Sequence, residues 1–245
     1  MRLLSFNIHK GIGGRDRRYR LGRIMDVIDA EAPDLICLQE VDRLVRRSRH
    51  DDQPRLFVEH FQPAAHLFQL NVRLKEGGYG NLLLSRWPLL SHHHISLTHH
   101  TRKVRGAQLA VIDTPSGPLH LAHWHLGLGE RERHWQSRRL LEHHSFRESK
   151  QLPTLIVGDS NDWRNTLASG PFDVHGFRQI TAPASRFRSF PAWLPTLALD
   201  KAFVRGAIDV ERVHVVRSRA TRDASDHLPI VIDFDLGNWA LRHSC

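Results

Sequence analysis

The residues able to do chemistry collect where apolar runs end. Asn7 closes the run at the start of the chain. Glu40 ends another, in Leu38-Gln-Glu-Val41, and His125 ends a third, in His123-Trp-His-Leu-Gly127. Asp159 and Asn161 sit in Gly158-Asp-Ser-Asn-Asp162, Asp200 in Leu199-Asp-Lys201, and Asp226 with His227 in Ser225-Asp-His-Leu-Pro229. A carboxylate seldom borders a core without a partner, so each of these acids calls for an ion pair or a cation. Residues i and i+2 of a strand share a face. Asp159 and Asn161 would then address one site, with Ser160 turned away into packing. Such a pair supplies a carboxylate that can hold a water's proton and an amide that can donate to a phosphate oxygen. Glu40 and Asn7 offer hard oxygen ligands, which suit Mg²⁺ better than zinc. His227 beside Asp226, with Asp200 nearby in the fold, would be an imidazole oriented by a carboxylate. Taken singly, Asp-x-Asn is ordinary turn chemistry, an Asp-His pair is a cap or surface pair, and a Glu after a strand means little. The weight lies in the joint pattern, an appropriate residue at the border of six separate segments.

These residues need elements to position them, and the hydrophobic period switches repeatedly along the chain. Strands are expected at 2–8, 34–40, 81–85, 154–157, 199–204, 210–216 and 228–234. Residues 106–113 and 118–126 read as a hairpin about Thr114-Pro-Ser-Gly-Pro118. Leu21, Ile24, Met25, Val27 and Ile28 recur at helical spacing, and Pro33 stops that helix. Residues 130–149 read as one exposed amphipathic helix, and 182–198 as a Pro-rich, aromatic stretch. There is no internal repeat, low-complexity tract or linker. A two-sheet core with helices outside, α/β or α+β, fits one domain over residues 1–245.

The chain has 245 residues, with 35 Lys and Arg against 26 Asp and Glu, a formal charge of +9. Thirty of the 35 cations are Arg, whose planar fork of donors matches phosphate. An anionic partner is expected. Hydrophobic residues make up 40% and charged residues 25%, which excludes a disordered chain. Cys37 lies in an apolar run and Cys245 is terminal, so no disulfide is expected and a reducing compartment is favoured. No signal peptide or membrane span is visible. The expectation is a cytoplasmic monomer, with contact at a membrane surface left open.

The ordered segments Ser5-Phe-Asn-Ile-His9, Leu38-Gln-Glu40, Tyr79-Gly-Asn-Leu-Leu-Leu-Ser-Arg86, His125-Leu-Gly127, Val157-Gly-Asp-Ser-Asn161, Leu199-Asp-Lys-Ala-Phe-Val204 and Ser225-Asp-His-Leu-Pro229 together resemble the endonuclease/exonuclease/phosphatase superfamily of metal-dependent phosphoesterases. The resemblance runs from residue 3 to residue 234 and is strongest to compact bacterial members. It implies a four-layer αββα sandwich, two mixed sheets face to face with helices on both outer faces, and a site at one end of the sheets. It implies Mg²⁺, with Mn²⁺ as the alternative, held by Glu40 with Asn7 beside it and Asp226 on the metal side. Asp159 would orient or deprotonate the attacking water and Asn161 would bind the scissile phosphate. His227, oriented by Asp200, would bind or protonate that phosphate, and His125 would contact it or assist the leaving group. Tyr79, Asn81 and the basic Arg105 are the expected substrate contacts. The reaction implied is in-line attack of water on a phosphodiester.

Two positions depart from the family pattern. Ser160 stands where the family usually has Phe, and Ala198 where related bacterial sequences often carry Arg. Charge and Arg content favour a nucleic acid substrate. His125 and the absence of a long DNA-binding insertion favour a phospholipid head group or another small phosphodiester. A non-catalytic binding module is the third reading, and the filled site positions argue against it. The tracts His92-His-His94, His99-His100 and His143-His144 lack a partner set at zinc spacing. The basic cluster at 43–49 follows Glu40 directly and is expected to overhang the site, whereas 15–20 reads as a solvated loop. Residues 186–193 mix aromatics with cations and could stack on bases or enter a lipid interface.

Overall fold

The structure, a computed structural model, describes residues 1–237; Cys245 lies outside them. In chain order the strands are β1 (Arg2–Asn7), β2 (Leu35–Arg43), β3 (Ala65–Arg73), β4 (Gly78–Ser85), β5 (Leu89–Ser96), β6 (Gly106–Thr114), β7 (Gly117–His125), β8 (Thr154–Asp159), β9 (Arg178–Gln179), β10 (Asp200–Arg205), β11 (Ile208–Val215) and β12 (Ile230–Leu236). The helices are α1 (Leu21–Glu31), α2 (Gln53–Phe61), α3 (Glu130–Leu141), α4 (His144–Glu148), α5 (Pro171–Val174) and α6 (Arg219–Ala224). Two six-stranded mixed sheets form, in the orders β11-β12-β1-β2-β4-β3 and β5-β6-β7-β8-β10-β9.

Period-two alternation sorts the apolar residues into three layers. Leu3, Leu35, Cys37, Leu83, Leu121, Leu155 and Val157 turn inward and meet between the sheets. The alternate residues of the first sheet, Leu4, Phe6, Ile36, Leu38 and Leu82, pack against Ile24, Val27 and Ile28 of α1 and Phe57 of α2. Those of the second, Ala122, Trp124, Ile156 and Phe203, pack against Leu140, Phe146 and Phe172. Helix, sheet, sheet, helix is the four-layer αββα sandwich. Among the described residues, no helix is long and apolar enough to cross a membrane.

Local signals explain the element ends. α1 stops at Ala32, whose left-handed φ of 44° precedes Pro33. α2 begins where the Asp52 carboxylate accepts the Arg55 N–H at 3.2 Å. The expected helix over 130–149 is instead two, α3 and α4, separated at Glu142–His143. It is less exposed than its charge suggests, because Arg133, Gln136 and Ser137 are buried with hydrogen-bond partners. Gly158 was expected to end its strand, but β8 runs on to Asp159. Its φ is +142° and a Cβ would lie 2.1 Å from the Trp124 carbonyl oxygen, so only glycine lets β7 and β8 stay paired there. β3, α6 and the His-rich edge strand β5 carry no clean period and escape the sequence reading, as does α2, although its apolar face is nearly as marked as that of α1. His92, His93 and His94 are exposed on that edge. Among the described residues, no three His, Cys, Asp or Glu side chains are grouped to hold a metal.

Candidate active site

The inward-facing register of four strands ends in polar residues at the same end of the sandwich. Asn7 continues the face of Leu3, and His125 that of Leu121. Asp159 continues the face of Leu155 and Val157, and Asp200 that of Ala202. Where the apolar inter-sheet layer runs out, these four side chains replace it, and all are buried. The two sheets are joined here by the Asn7 amide, which donates to Asp159 Oδ2 at 3.0 Å. Ser225, on the turn before β12, donates to the Asn7 carbonyl oxygen at 2.7 Å and so brings His227 to the same point.

Asp159 is the hub. Its Oδ1 accepts the Asn161 N–H at 2.9 Å, while Oδ2 lies 3.3 Å from His125 Nε2 and 3.8 Å from His227 Nε2. His227 Nδ1 donates to Asp200 Oδ2 at 2.8 Å. The same oxygen accepts the Ser189 hydroxyl at 2.5 Å. A carboxylate–imidazole–carboxylate chain, Asp200–His227–Asp159, results. The pairing of His227 with Asp200, expected from the resemblance, is present. Ser189 was missed, since a lone serine in a Pro-rich stretch has no signal of its own.

Burial works against every charge here, and neighbours decide which survive. Burial raises Asp159, the His227 cation pulls it back, and it settles at about 6. Burial would lower His227, but Asp200 and Asp159 outweigh it and push it up to about 10. His125 goes the other way: burial, helped by Arg105 and His227, holds it far below its ordinary value. At neutral pH the site therefore contains an imidazolium, a neutral imidazole and a carboxylate of raised basicity. His125 is thus a neutral hydrogen-bonding group at rest, and the imidazole that carries the extra proton is His227.

The shared strand face expected for Asp159 and Asn161 does not exist, because β8 ends at Asp159. Asn161 has a left-handed φ of 50° and folds back in an Asx turn onto Asp159. Its Nδ2 donates to the Leu126 carbonyl at 3.0 Å, leaving one amide N–H for a ligand. Ser160 is fully buried, as expected. The loop beyond is anchored by Asp162, which accepts the backbone N–H groups of Thr166 at 3.1 Å and Leu167 at 3.0 Å and faces Arg133 at 3.6 Å.

The expected oxygen set of Glu40, Asn7 and Asp226 is present but not drawn together. Glu40 sits at a bulge between Leu38 and Val41 with φ of 59°, which re-aims its side chain away from the alternation of β2. Its Oε2 accepts from Lys10 Nζ. Burial would raise this carboxyl, and Lys10 more than reverses that, so it stays ionised. Asn7 keeps its Oδ1 for the His9 N–H at 3.1 Å. Asp226 Oδ2 lies 3.8 Å from His9 Nε2. The donors are all hard oxygens, and a cation already stands on Glu40 in the form of the Lys10 ammonium. In chemistry the residues fit a hard divalent ion. Lys10 directly follows the matching segment Ser5-Phe-Asn-Ile-His9, where it carries no expected role.

The expected substrate contacts divide. The Tyr79 ring is ringed by cations, with Arg47 at 5.1 Å, Lys103 at 5.3 Å and Lys10 at 5.6 Å from its centroid. Of the 43–49 cluster, Arg47 reaches this ring, whereas Arg43 pairs with Asp52 and Arg49 lies over the Tyr19 ring. Asn81 is buried and donates to the Gly106 carbonyl at 3.3 Å, and Gly106 pairs with His125. It positions backbone through one of its two amide N–H groups. Arg105 is buried with Nε unpartnered and acts electrostatically on His125.

Comparison with known proteins places the chain among relatives of the same fold. The chain is 30% identical over 252 residues to the uncharacterized protein YbhP of Escherichia coli (strain K12), covering 96% of each. A structure from Beutenbergia cavernae, described as an endonuclease/exonuclease/phosphatase, superimposes with a TM-score of 0.77 at 24% identity, over 97% of this chain and 72% of that one. The mannosyl-6-phosphatase Bt3783 of Bacteroides thetaiotaomicron shares the fold at a TM-score of 0.71 and 15% identity, over 96% of this chain and 99% of that one. The model of the Endonuclease/Exonuclease/phosphatase family matches residues 4–227, nearly the whole described chain, and the protein belongs to that family of phosphoester hydrolases.

Proposed function

We propose that the protein is a Mg²⁺-dependent phosphodiesterase, one domain acting as a monomer, that hydrolyses its substrate by in-line attack of water. The observation that carries the reading is the chain Asp200–His227–Asp159, in which one buried carboxylate is held near pKa 6 and one imidazole stays charged at neutral pH. A base performs best when its pKa lies near the working pH. Asp159 takes the proton of the attacking water. As the water oxygen bonds to phosphorus the opposite P–O bond breaks, and the leaving oxygen takes a proton from solvent. His227, held in orientation by Asp200, donates Nε2–H to a phosphoryl oxygen as negative charge grows there. The free Asn161 amide N–H and the neutral His125 add donors, and Lys10 with Arg105 offsets part of the negative charge of Glu40, Asp159, Asp200 and Asp226. Glu40, Asn7 and Asp226 would hold the divalent ion, which when bound polarises the phosphoryl group and neutralises charge.

The basic charge supports an anionic substrate, nucleic acid or phospholipid head group, and a cytoplasmic site of action is consistent with its composition. The test is a screen of plasmid, abasic duplex, RNA, phospholipids and inositol phosphates with Mg²⁺, Mn²⁺ and EDTA. Hydrolysis is expected in wild type with Mg²⁺ or Mn²⁺ and is expected to vanish with EDTA or in Asp159→Ala and His227→Ala. Equal turnover by wild type and both variants would overturn the assignment.

A further inference from the structure

Among the described residues nine large apolar side chains are exposed, and seven leave the molecule at the end that carries the site. These are Leu44, Leu74, Val104, Leu128, Trp163, Trp193 and Leu194, between 40% and 74% exposed. Each sits on a loop entering or leaving a site strand. Leu44 follows β2 beyond Glu40, and Leu74 lies in the turn between β3 and β4. Val104 precedes Arg105, Leu128 follows His125, and Trp163 follows Asn161. Trp193 and Leu194 lie beside Asp226, whose carbonyl accepts the Ala192 N–H at 2.7 Å. The other two, Leu90 at the far end of β5 and Val174 on α5, lie elsewhere. Scattered exposed apolar residues are normal, whereas a set gathered around one mouth marks an interaction face.

The charge on the same loops chooses the occupant. Arg17, Arg46, Arg49, Lys75, Arg102 and Lys103 are exposed at this end against Asp16, Glu76 and Glu130, so the balance of charge selects an anionic partner. The side chains discriminate between anionic partners. Nucleobases stack on planar groups, but five of the seven apolar residues are aliphatic. The Trp163 face is already covered by the Arg164 guanidinium, 4.7 Å from the ring centroid. Aliphatic tips, tryptophans and basic residues on one rim are the composition that enters a lipid head-group boundary. A cavity of about 520 Å³ opens on this rim, lined by His9, Ile12, Arg17, Phe190, Trp193 and Asp226. Phe190 packs on His227 with ring centroids 4.9 Å apart, so the cavity adjoins the site and pairs apolar walls with a cation, as a lipid head group and its backbone require.

We propose that the protein docks by this end onto an anionic phospholipid membrane, with the active site facing the head groups, and that its substrate phosphoester belongs to a lipid. The choice of substrate rests on the phosphodiesterase reading; the docking does not. The experiment is flotation of the full chain with vesicles of phosphatidylglycerol and phosphatidylcholine, against phosphatidylcholine alone. Wild type is expected to float with the anionic vesicles. A Leu44→Ser, Leu128→Ser, Leu194→Ser triple variant is expected to lose binding by at least about tenfold, with its melting temperature and its hydrolysis of soluble bis(p-nitrophenyl) phosphate unchanged. Leu90→Ser, at the opposite end, is expected to bind like wild type. Failure of wild type to float overturns the proposal. So does flotation of the triple variant at the wild-type level, or a triple variant that loses affinity for oligothymidylate but not for vesicles. Loss of soluble diester hydrolysis in wild type would instead sink the phosphodiesterase reading and leave the flotation result standing.

Discussion

Asp200→Asn removes one negative charge and little volume from the centre of the site, and its effect can be worked from the geometry. Asp200 Oδ2 is 2.8 Å from His227 Nδ1 and is the largest of the influences that raise this imidazole, Asp159 being the next. Together they lift it from 6.5 to about 10 against burial. That rise corresponds to on the order of 5 kcal/mol of preference for the charged form. With Asn at 200, burial remains and only Asp159 and Asp226 oppose it, so the imidazole is expected to titrate near or below neutrality. The sign for stability follows by linkage. A folded-state pKa above the unfolded one contributes stability that is fully present below pH 6.5 and is lost as pH rises towards 10. Wild type is therefore expected to lose stability between pH 7 and 10, and the variant to show a flatter profile there. The assay is an NMR titration of the His227 ring resonances in both proteins, with urea unfolding at pH 6.5 and 9.5. A wild-type imidazole that titrates near 6.5, or one whose titration does not move in the variant, would refute the argument that buried carboxylates hold this group charged.

The acid limb of the kcat/KM profile is expected near pH 6, because burial raises Asp159 to about that value. Activity should fall below it, and Asp159→Asn should lower kcat by about 10²- to 10⁴-fold at pH 7 with little change in Tm. Lys10 and Glu40 should have opposite effects on Mg²⁺ binding measured by isothermal titration calorimetry. Lys10→Met frees the carboxylate and tightens the site, whereas Glu40→Gln weakens it. Gly158→Ala forces a Cβ to within 2.1 Å of the Trp124 carbonyl at a φ of +142°. Destabilisation by about 1–3 kcal/mol or more is expected in urea titrations.

Much of the site was legible because strand ends are written locally. An apolar run stopping at Asn7, Glu40, His125, Asp159 or Asp200 can be read from neighbours in the chain. The family order of these segments then assigned each an expected role. Asn161 was placed correctly near Asp159 but for the wrong reason, since an Asx turn, and not strand alternation, brings them together. Ser189 was invisible, and Ser225, though inside a matching segment, carried no role, because a serine earns meaning only from the buried group it meets. α3 was read as exposed because its charge is obvious, while the partners that permit Arg133 to be buried lie elsewhere in the fold.

By itself the sequence determined the periods of the elements, the basic surface and the acidic minority at the strand ends. All of these depend on residues a few positions apart. Only the tertiary structure decided that the inward faces of two sheets meet, so that Asn7 bonds Asp159 across 152 positions of chain. It also decided that a bulge turns Glu40 towards Lys10, and that His227 is charged while His125 is neutral. Periodicity records which way a side chain faces. What it faces, and therefore its charge, depends on burial and on neighbours that packing alone supplies.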